Sequence, residues 1–324
     1  MNQELGTTGT GGARRRPLLA LPNTGYKVLL AAAAALFAAL VLWFLVAMVS
    51  KSRPAFSSLG VSFVWGRTWD PNTNQYGLLP FILGTLETTV IAMLLAVPIG
   101  LGCALSLGYL VHRRVKTVLS TAVELLAAVP SVVYGLWGLI VIAPYMRTDI
   151  EPFLSSVFGW TGLFNGPDGG VGILLAGVIL FIMVLPTMVA ISRDVLVAVP
   201  HDQVEGAMAL GATRGQVFRK VVLPGARTGL FGAFSLATGR ALGETVAVAL
   251  VIGNSNYIAH SIKSGGGTLA SLIVNNFGEA SGTELAVLFA AGLVLLVIVA
   301  AVNIIARRLV RRTARSGATS VAVA

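Results

Sequence analysis

Long hydrophobic runs separated by short polar segments dominate the chain. A helix needs about 20 apolar residues to cross the hydrocarbon core of a bilayer, and six runs approach or exceed that length. They cover residues 28–49, 78–111, 118–142, 173–191, 229–252 and 284–306. The pattern therefore predicts an all-α integral membrane protein with six transmembrane helices. The sequence contains neither a recognisable internal repeat nor a second soluble domain.

The basic residues predict an orientation for these helices. Hydrophobic residues make up 56% of the 324 residues, charged residues 11%, and the net charge is +10. In a membrane protein such an excess marks cytoplasmic segments rather than nucleic-acid binding, and most lysines and arginines fall in alternate connections. Both termini are therefore predicted to be cytoplasmic. Residues 1–27 are expected to be a flexible basic tail, 28–306 the transmembrane domain and 307–324 a second basic tail.

The polar interruption at residues 199–224 is predicted to fold as a helical hairpin, called the polar hairpin below. Gly211 lies where a first helix must end and the chain must turn, and Pro224 is expected to stop a second helix. Each helix begins with a possible capping box. The capping residues are Asp202 with Glu205 and Thr213 with Gln216. Such a hairpin either docks on another protein or rests on the membrane surface.

Two charged residues lie within the fifth predicted span. Arg240 is about 18 Å along that helix, near the middle of the bilayer, where an arginine costs about 2.5 to 3.5 kcal/mol on insertion scales. Glu244 follows four residues later, on the same face of a continuous helix, and is expected to be its partner. The pair either neutralises itself structurally or contributes to a transport pathway, and the pathway role is favoured.

Two hydroxyl groups in the third predicted span add to this interpretation. Ser131 and Tyr134 stand one helical turn apart beside Pro130, where they either bind an oxyanion or serve in packing. No catalytic or metal site is predicted, because the histidines are scattered and no G-x-S-x-G segment occurs. An intramembrane hydrolase is therefore disfavoured. No cofactor is expected.

The polar hairpin resembles the cytoplasmic EAA loop of ABC importer permeases, which in that family seats on the ATPase subunit. The pattern is E-G-A-x-x-x-G, followed after nine residues by V-L-P. Its residues are Glu205, Gly206, Ala207, Gly211, Leu223 and Pro224. A glycine stands at position 206, where the family most often has alanine. The resemblance implies a type I ABC importer permease fold.

Further segments resemble the PstC-type permeases of phosphate importers. They are residues 124–127, 130–135, 240–245, 268–273 and 276–280. The resemblance implies a multi-pass subunit of the bacterial cytoplasmic membrane that passes phosphate inward, with Arg240 and Glu244 as its embedded charged pair. It also implies a heterodimer with a PstA-type permease, a PstB-type ATPase dimer and a PstS-type phosphate-binding protein. The chain itself is then no enzyme, since it lacks an ATP-binding phosphate loop.

Two alternatives remain open at this point. A permease for another oxyanion, molybdate or sulfate, would keep the fold and the coupling to an ATPase and change only the substrate. A secondary transporter would need no ATPase and would usually show repeated halves, which this sequence does not.

Overall fold

The computed structural model describes residues 23–319, which are almost entirely helical. The predicted tail at residues 1–27 falls mostly outside this range. The α-helices are α1 (Asn23–Leu59), α2 (Leu79–Leu105), α3 (Arg113–Ala128), α4 (Ser131–Trp137), α5 (Ala143–Tyr145), α6 (Glu151–Phe158), α7 (Ile173–Val197), α8 (His201–Ala209), α9 (Arg214–Val217), α10 (Leu223–Gly243), α11 (Val246–Val251), α12 (Leu269–Asn276) and α13 (Gly282–Thr319).

Shorter elements connect these helices. The 3-10 helices are Ser62–Trp65, Pro71–Thr73 and Gly159–Thr161, and the π-helical turns are Ser106–Leu110, Gly138–Ile142, Met146–Ile150 and Phe218–Val222. Strands β1 (Trp69–Asp70) and β2 (Gln75–Tyr76) form an antiparallel pair with Trp69 opposite Tyr76. The chain divides into two compact units at Ala47 and Met48. The described part of the first unit is the N-terminal portion of α1, and the packing and the sites described below belong to the second unit.

The predicted count of six spans is confirmed in part. Within residues 23–319, four helices are long and apolar enough to span a membrane, and five if a bent pair counts as one span. The four are Thr24–Leu59, Leu79–Leu110, Ile173–Val197 and Gly282–Arg308. Four of the predicted spans therefore appear as single helices, and the third and fifth predicted spans are broken.

The third predicted span breaks at Pro130. Arg114–Ala128 and Ser131–Thr161 meet at an angle of 91°. A proline disfavours the helical conformation of the residue before it, and Val129 is accordingly extended, with ψ of 131°. Helical structure then continues to Thr161, well into the connection between the third and fourth predicted spans.

The fifth predicted span is interrupted at its charged residues. Helix α10 ends at Gly243, Glu244 is extended with φ −70° and ψ 131°, and α11 begins at Val246. Glycine is a poor helix former, which favours an end at this position. The hydrophobic run at residues 229–252 therefore contains two helices with a turn in the middle.

The core lies where α7 packs against α2, α10 and α11. Close approach of α2 and α7 depends on small residues, since a Cβ at Gly177 would lie 2.5 Å from Ile91 Cγ2. Helix α4 packs against α11 in the same way, and a Cβ at Gly135 would lie 2.9 Å from the Ala247 Cα. These contacts set the position of α11 and of the turn that precedes it.

The structure confirms part of the predicted polar hairpin. Gly211 turns the chain with φ +83°, and Thr213 and Gln216 make a complete capping box at the start of α9. The capping box predicted for Asp202 and Glu205 is wrong, because α8 begins at His201 and its N-cap is Pro200, two residues before Asp202, without a side-chain hydrogen bond.

The predicted stop at Pro224 is also wrong. Pro224 is the second residue of α10 and directly follows the π-helical turn Phe218–Val222. This turn is a local irregularity of the helix at the place where a proline cannot donate a backbone hydrogen bond. The helical path continues from α9 through the π-helical turn Phe218–Val222 into α10 without a loop.

Candidate functional site

Arg240 lies in the last turn of α10 and bonds to a neighbouring helix. Its Nη1 donates a 2.8 Å hydrogen bond to the hydroxyl oxygen of Thr187 on α7. Thr187 directly follows Pro186, which is buried within α7. The need for a partner near Arg240 was predictable, but Thr187 carried no signal in the sequence that marked it as that partner.

The predicted ion pair between Arg240 and Glu244 is not formed. Among the described residues, neither side chain makes a salt bridge within 4.0 Å, and the Glu244 carboxylate accepts no hydrogen bond. The prediction assumed a continuous helix, which would place residues four apart on one face. Because α10 ends at Gly243, the extended backbone of Glu244 redirects its side chain.

The two predicted hydroxyl groups have different environments. Tyr134 is buried, and its hydroxyl donates a 2.8 Å hydrogen bond to the Leu126 carbonyl oxygen across the bend at Pro130. Arg240 lies within electrostatic range of this phenol. Ser131 is half-buried at the first position of α4. Tyr134 thus joins α3 to α4 across the bend.

A cavity of about 910 Å³ opens beside Arg240, along α10 and α13, and is called the α10/α13 cavity below. Its lining includes residues of one face of α10, from Thr228 to Arg240, which recur every three or four positions. On α13 it includes Asn303 and Arg307. None of the described residues that line it is acidic. A wall with two guanidinium groups and no carboxylate attracts anions.

The polar hairpin has one packed side and one exposed side. Val217 and Val222 are buried against Leu196, and Ala207 packs at the edge of the same cluster. Leu210 is 91% exposed at the turn. Glu205, Gly206, Gly211, Leu223 and Pro224 are also exposed. An added Cβ at Gly206 or Gly211 would meet no atom within 4 Å, so this side is open to a partner.

A buried lysine that the sequence did not single out lies in the connection before α12. Lys263 is 2% exposed, and its Nζ donates to Asp168 Oδ1 at 2.6 Å, Ser155 Oγ at 2.7 Å and the Gly166 carbonyl oxygen at 2.9 Å. Nearby, Glu151 accepts from the Gly170 amide at 3.1 Å. These contacts tie the segment after α6 to the segment after α11.

Comparison with known proteins identifies the family. Residues 96–315 match the family described as binding-protein-dependent transport system inner membrane component. A phosphate transport system permease protein PstC from Xylella fastidiosa (strain Temecula1) is 42% identical over 294 residues, covering 90% of this chain and 91% of the relative. A protein of the same name from Mesorhizobium japonicum is 43% identical over 279 residues, covering 84% and 85%.

The fold agrees with this match. A subunit in the crystal structure of a bacterial ABC transporter involved in the import of the acidic polysaccharide alginate superposes with a TM-score of 0.59 at 16% sequence identity, covering 86% of this chain and 94% of that one. At this identity the likeness shows the fold alone, that of an ABC importer permease. The chain is therefore a multi-pass membrane protein and a transporter subunit rather than an enzyme. It belongs to the family of binding-protein-dependent transport system inner membrane components, within the group of PstC-type phosphate transport permeases.

Proposed function

We propose that this chain is the permease subunit of an ATP-driven importer that passes inorganic phosphate from an extracytoplasmic binding protein into the bacterial cytoplasm. The observation that carries the proposal is the position of Arg240 on the wall of the α10/α13 cavity. A guanidinium group donates charge-assisted, bidentate hydrogen bonds to phosphate oxygens. The names of the relatives give the same substrate.

The hydrogen bond to Thr187 supports a role of Arg240 in transient rather than permanent anion binding. A neutral hydroxyl holds the guanidinium in place without neutralising it, so its charge is available to a passing anion. Glu244 stands four residues away and makes no salt bridge within the described residues, and its negative charge opposes tight binding of a second anion. Conduction requires a site that binds weakly enough to release.

Within this proposal, Tyr134 and Ser131 belong to the same pathway. The Tyr134 hydroxyl fixes the bend that brings α4 beside α11. Ser131, at the start of α4, offers a hydroxyl that makes no hydrogen bond within the described residues.

The polar hairpin supplies the coupling surface. Its exposed residues, from Glu205 to Gly211, would seat on a PstB-type ATPase subunit, with both termini of the chain on the same cytoplasmic side. A PstA-type permease would complete the heterodimer in the membrane, and a PstS-type protein would deliver phosphate at the opposite face. The open space around Gly206 and Gly211 supports close approach of a partner helix or groove.

The experiment is ATP hydrolysis by the complete transporter in proteoliposomes, with binding protein loaded with phosphate, sulfate or molybdate. We expect stimulation by phosphate alone, and its loss in Arg240→Gln with unchanged co-purification of the ATPase. Stimulation by sulfate or molybdate would keep the ABC importer and reject phosphate. Full phosphate uptake by Arg240→Gln would reject the role of Arg240.

A further inference from the structure

A second arginine, Arg307, lines the same cavity as Arg240 but belongs to α13. It is exposed, and the described residues offer it no salt bridge within 4.0 Å. Arg308, the next residue, is equally exposed but does not line the cavity. Arginines at the cytoplasmic end of a transmembrane helix usually serve only to orient the helix in the membrane. The position of Arg307, but not of Arg308, on the cavity wall indicates a further role for Arg307.

Asn303 lies between the two cavity arginines. It is one helical turn from Arg307, about 6 Å along the axis of α13. Its Oδ1 accepts a hydrogen bond from the Ser235 hydroxyl on α10. That bond orients the amide, and Nδ2 lies near Gly239, where a Cβ would be 3.9 Å from it. Gly239 directly precedes Arg240 in the chain. The Asn303 amide N–H, which donates to no acceptor among residues 23–319, therefore faces the part of the cavity next to Arg240.

From this arrangement we infer that Arg307 and the Asn303 amide form a second phosphate-binding site, which receives the anion from Arg240 and releases it at the cytoplasmic end. The inference rests on the proposed function. A guanidinium and an amide N–H together supply the donors that a tetrahedral phosphate accepts. The missing side chain of Gly239 leaves room for the anion between the two sites. Arg307 is exposed to solvent, which keeps binding weak and release fast.

A phosphate group near the membrane surface has two sources, the transported anion and a lipid headgroup. Both offer the same oxygens to Arg307. The inference commits to the transported anion, because the donors line a cavity continuous with Arg240 and because the Asn303 amide faces that cavity. The experiment separates the two sources by omitting lipid.

The direct test measures phosphate protection of a thiol placed in the cavity. In a Cys103→Ala background, which removes the cysteine present in the sequence, Val299→Cys adds a reporter on the cavity wall and Val297→Cys an exposed reporter outside the lining. The complete transporter is labelled with a cationic thiosulfonate in lipid-free maltoside. We expect inorganic phosphate to slow labelling at position 299 and not at 297.

Adding Arg307→Gln should raise the phosphate concentration needed for protection on the order of tenfold, the effect of one charged hydrogen bond. Arg308→Gln is the matched control and should leave protection unchanged. Equal protection in Arg307→Gln, or equal loss in both variants, would overturn the inference. So would protection by added phospholipid with no effect of inorganic phosphate.

The functional test is phosphate uptake into proteoliposomes. Arg307→Gln should lower the uptake rate on the order of tenfold while stimulation of the ATPase by the loaded binding protein persists, since the polar hairpin and Arg240 are intact. If the wild-type transporter responds to sulfate and not to phosphate, the proposed function fails. If it responds to phosphate and Arg307→Gln transports at the wild-type rate, only the second site fails.

Discussion

The Arg240 guanidinium donates to the Thr187 hydroxyl at 2.8 Å, which joins the end of α10 to α7 through a neutral partner. This bond fixes the direction of the arginine and leaves its full charge facing the α10/α13 cavity. A carboxylate partner in the same place would cancel that charge. The neutral hydroxyl of Thr187 is therefore expected to matter for transport, and substitutions at position 187 test this.

Thr187→Val keeps the shape of the side chain and removes the acceptor. We expect phosphate uptake to fall on the order of tenfold, because a hydrogen bond to a charged group contributes about 1.5 to 3 kcal/mol and the freed guanidinium loses its orientation. Thr187→Ser retains the hydroxyl and should transport at close to the wild-type rate. Wild-type uptake by the valine variant, with normal expression, would contradict this role.

The exposed turn of the polar hairpin predicts a separable effect on assembly. Leu210 is 91% exposed, so Leu210→Ser should leave thermal stability in detergent unchanged and weaken binding of the ATPase subunit. Co-purification of the ATPase measures that binding. Val61→Ser, at a residue that is 65% exposed in a different connection, is the control and should retain the ATPase. Equal retention by both variants would argue against docking at this turn.

The buried pair of Lys263 and Asp168 predicts a loss of stability. Asp168→Asn removes the countercharge of an ammonium that is almost fully buried, and breaking such a pair costs about 3 kcal/mol, the low end of the usual range, because Asp168 is partly exposed. Thermal unfolding in detergent should show a clear decrease in Tm. Asp194→Asn disrupts the exposed contact of Asp194 with Arg193 and should cost less than about 1 kcal/mol. Similar Tm values for the two variants would contradict the prediction.

Because α4 packs closely on α11, adding a single methyl group at Gly135 is expected to lower the stability of the fold. Gly135→Ala would bring a Cβ to 2.7 Å from Leu250 Cδ1, and overpacking of this kind costs about 1 to 3 kcal/mol. Because α11 follows the turn at Glu244, we also expect reduced uptake. Gly102→Ala lies in α2 with no atom within 4 Å of the added Cβ and should be neutral or slightly stabilising. An unfolding free energy equal to wild type for Gly135→Ala would show that α11 can shift freely.

Much of this architecture followed from the sequence because hydrophobic runs and glycine turns act locally. The spans at α2 and α7 and the turn at Gly211 were predicted for that reason. The break between α10 and α11 was missed because residues 229–252 form one apolar run. Hydropathy is averaged over many residues, so a break of two residues does not change it. Pro224 shows the converse error, since the proline was expected to end a helix and the helical path instead runs through it, next to the π-helical turn Phe218–Val222.

The part of the site that could be predicted was the residue whose placement in the membrane is energetically unfavourable. Arg240 stood out because a charge in an apolar run is expensive, but its partner depends on how α7 and α10 pack. Thr187 and Asn303 are ordinary polar residues in the sequence, and only the folded chain brings Asn303 beside Gly239. Lys263 was missed for the same reason, since its three acceptors come from a distant part of the chain.

The unbroken helical path from Arg214 to Gly243 has a mechanical consequence. It places the polar hairpin and Arg240 on one rod, with roughly 40 Å between Arg214 and Arg240 at 1.5 Å per residue. No loop lies between them to absorb movement, and the π-helical turn Phe218–Val222 is the single place within the rod where the winding changes. If the hairpin tilts, the rigid helical path therefore displaces the Arg240 guanidinium at its other end. Within the proposed function, movement of an ATPase bound at the hairpin would thereby displace the charge of Arg240 sideways.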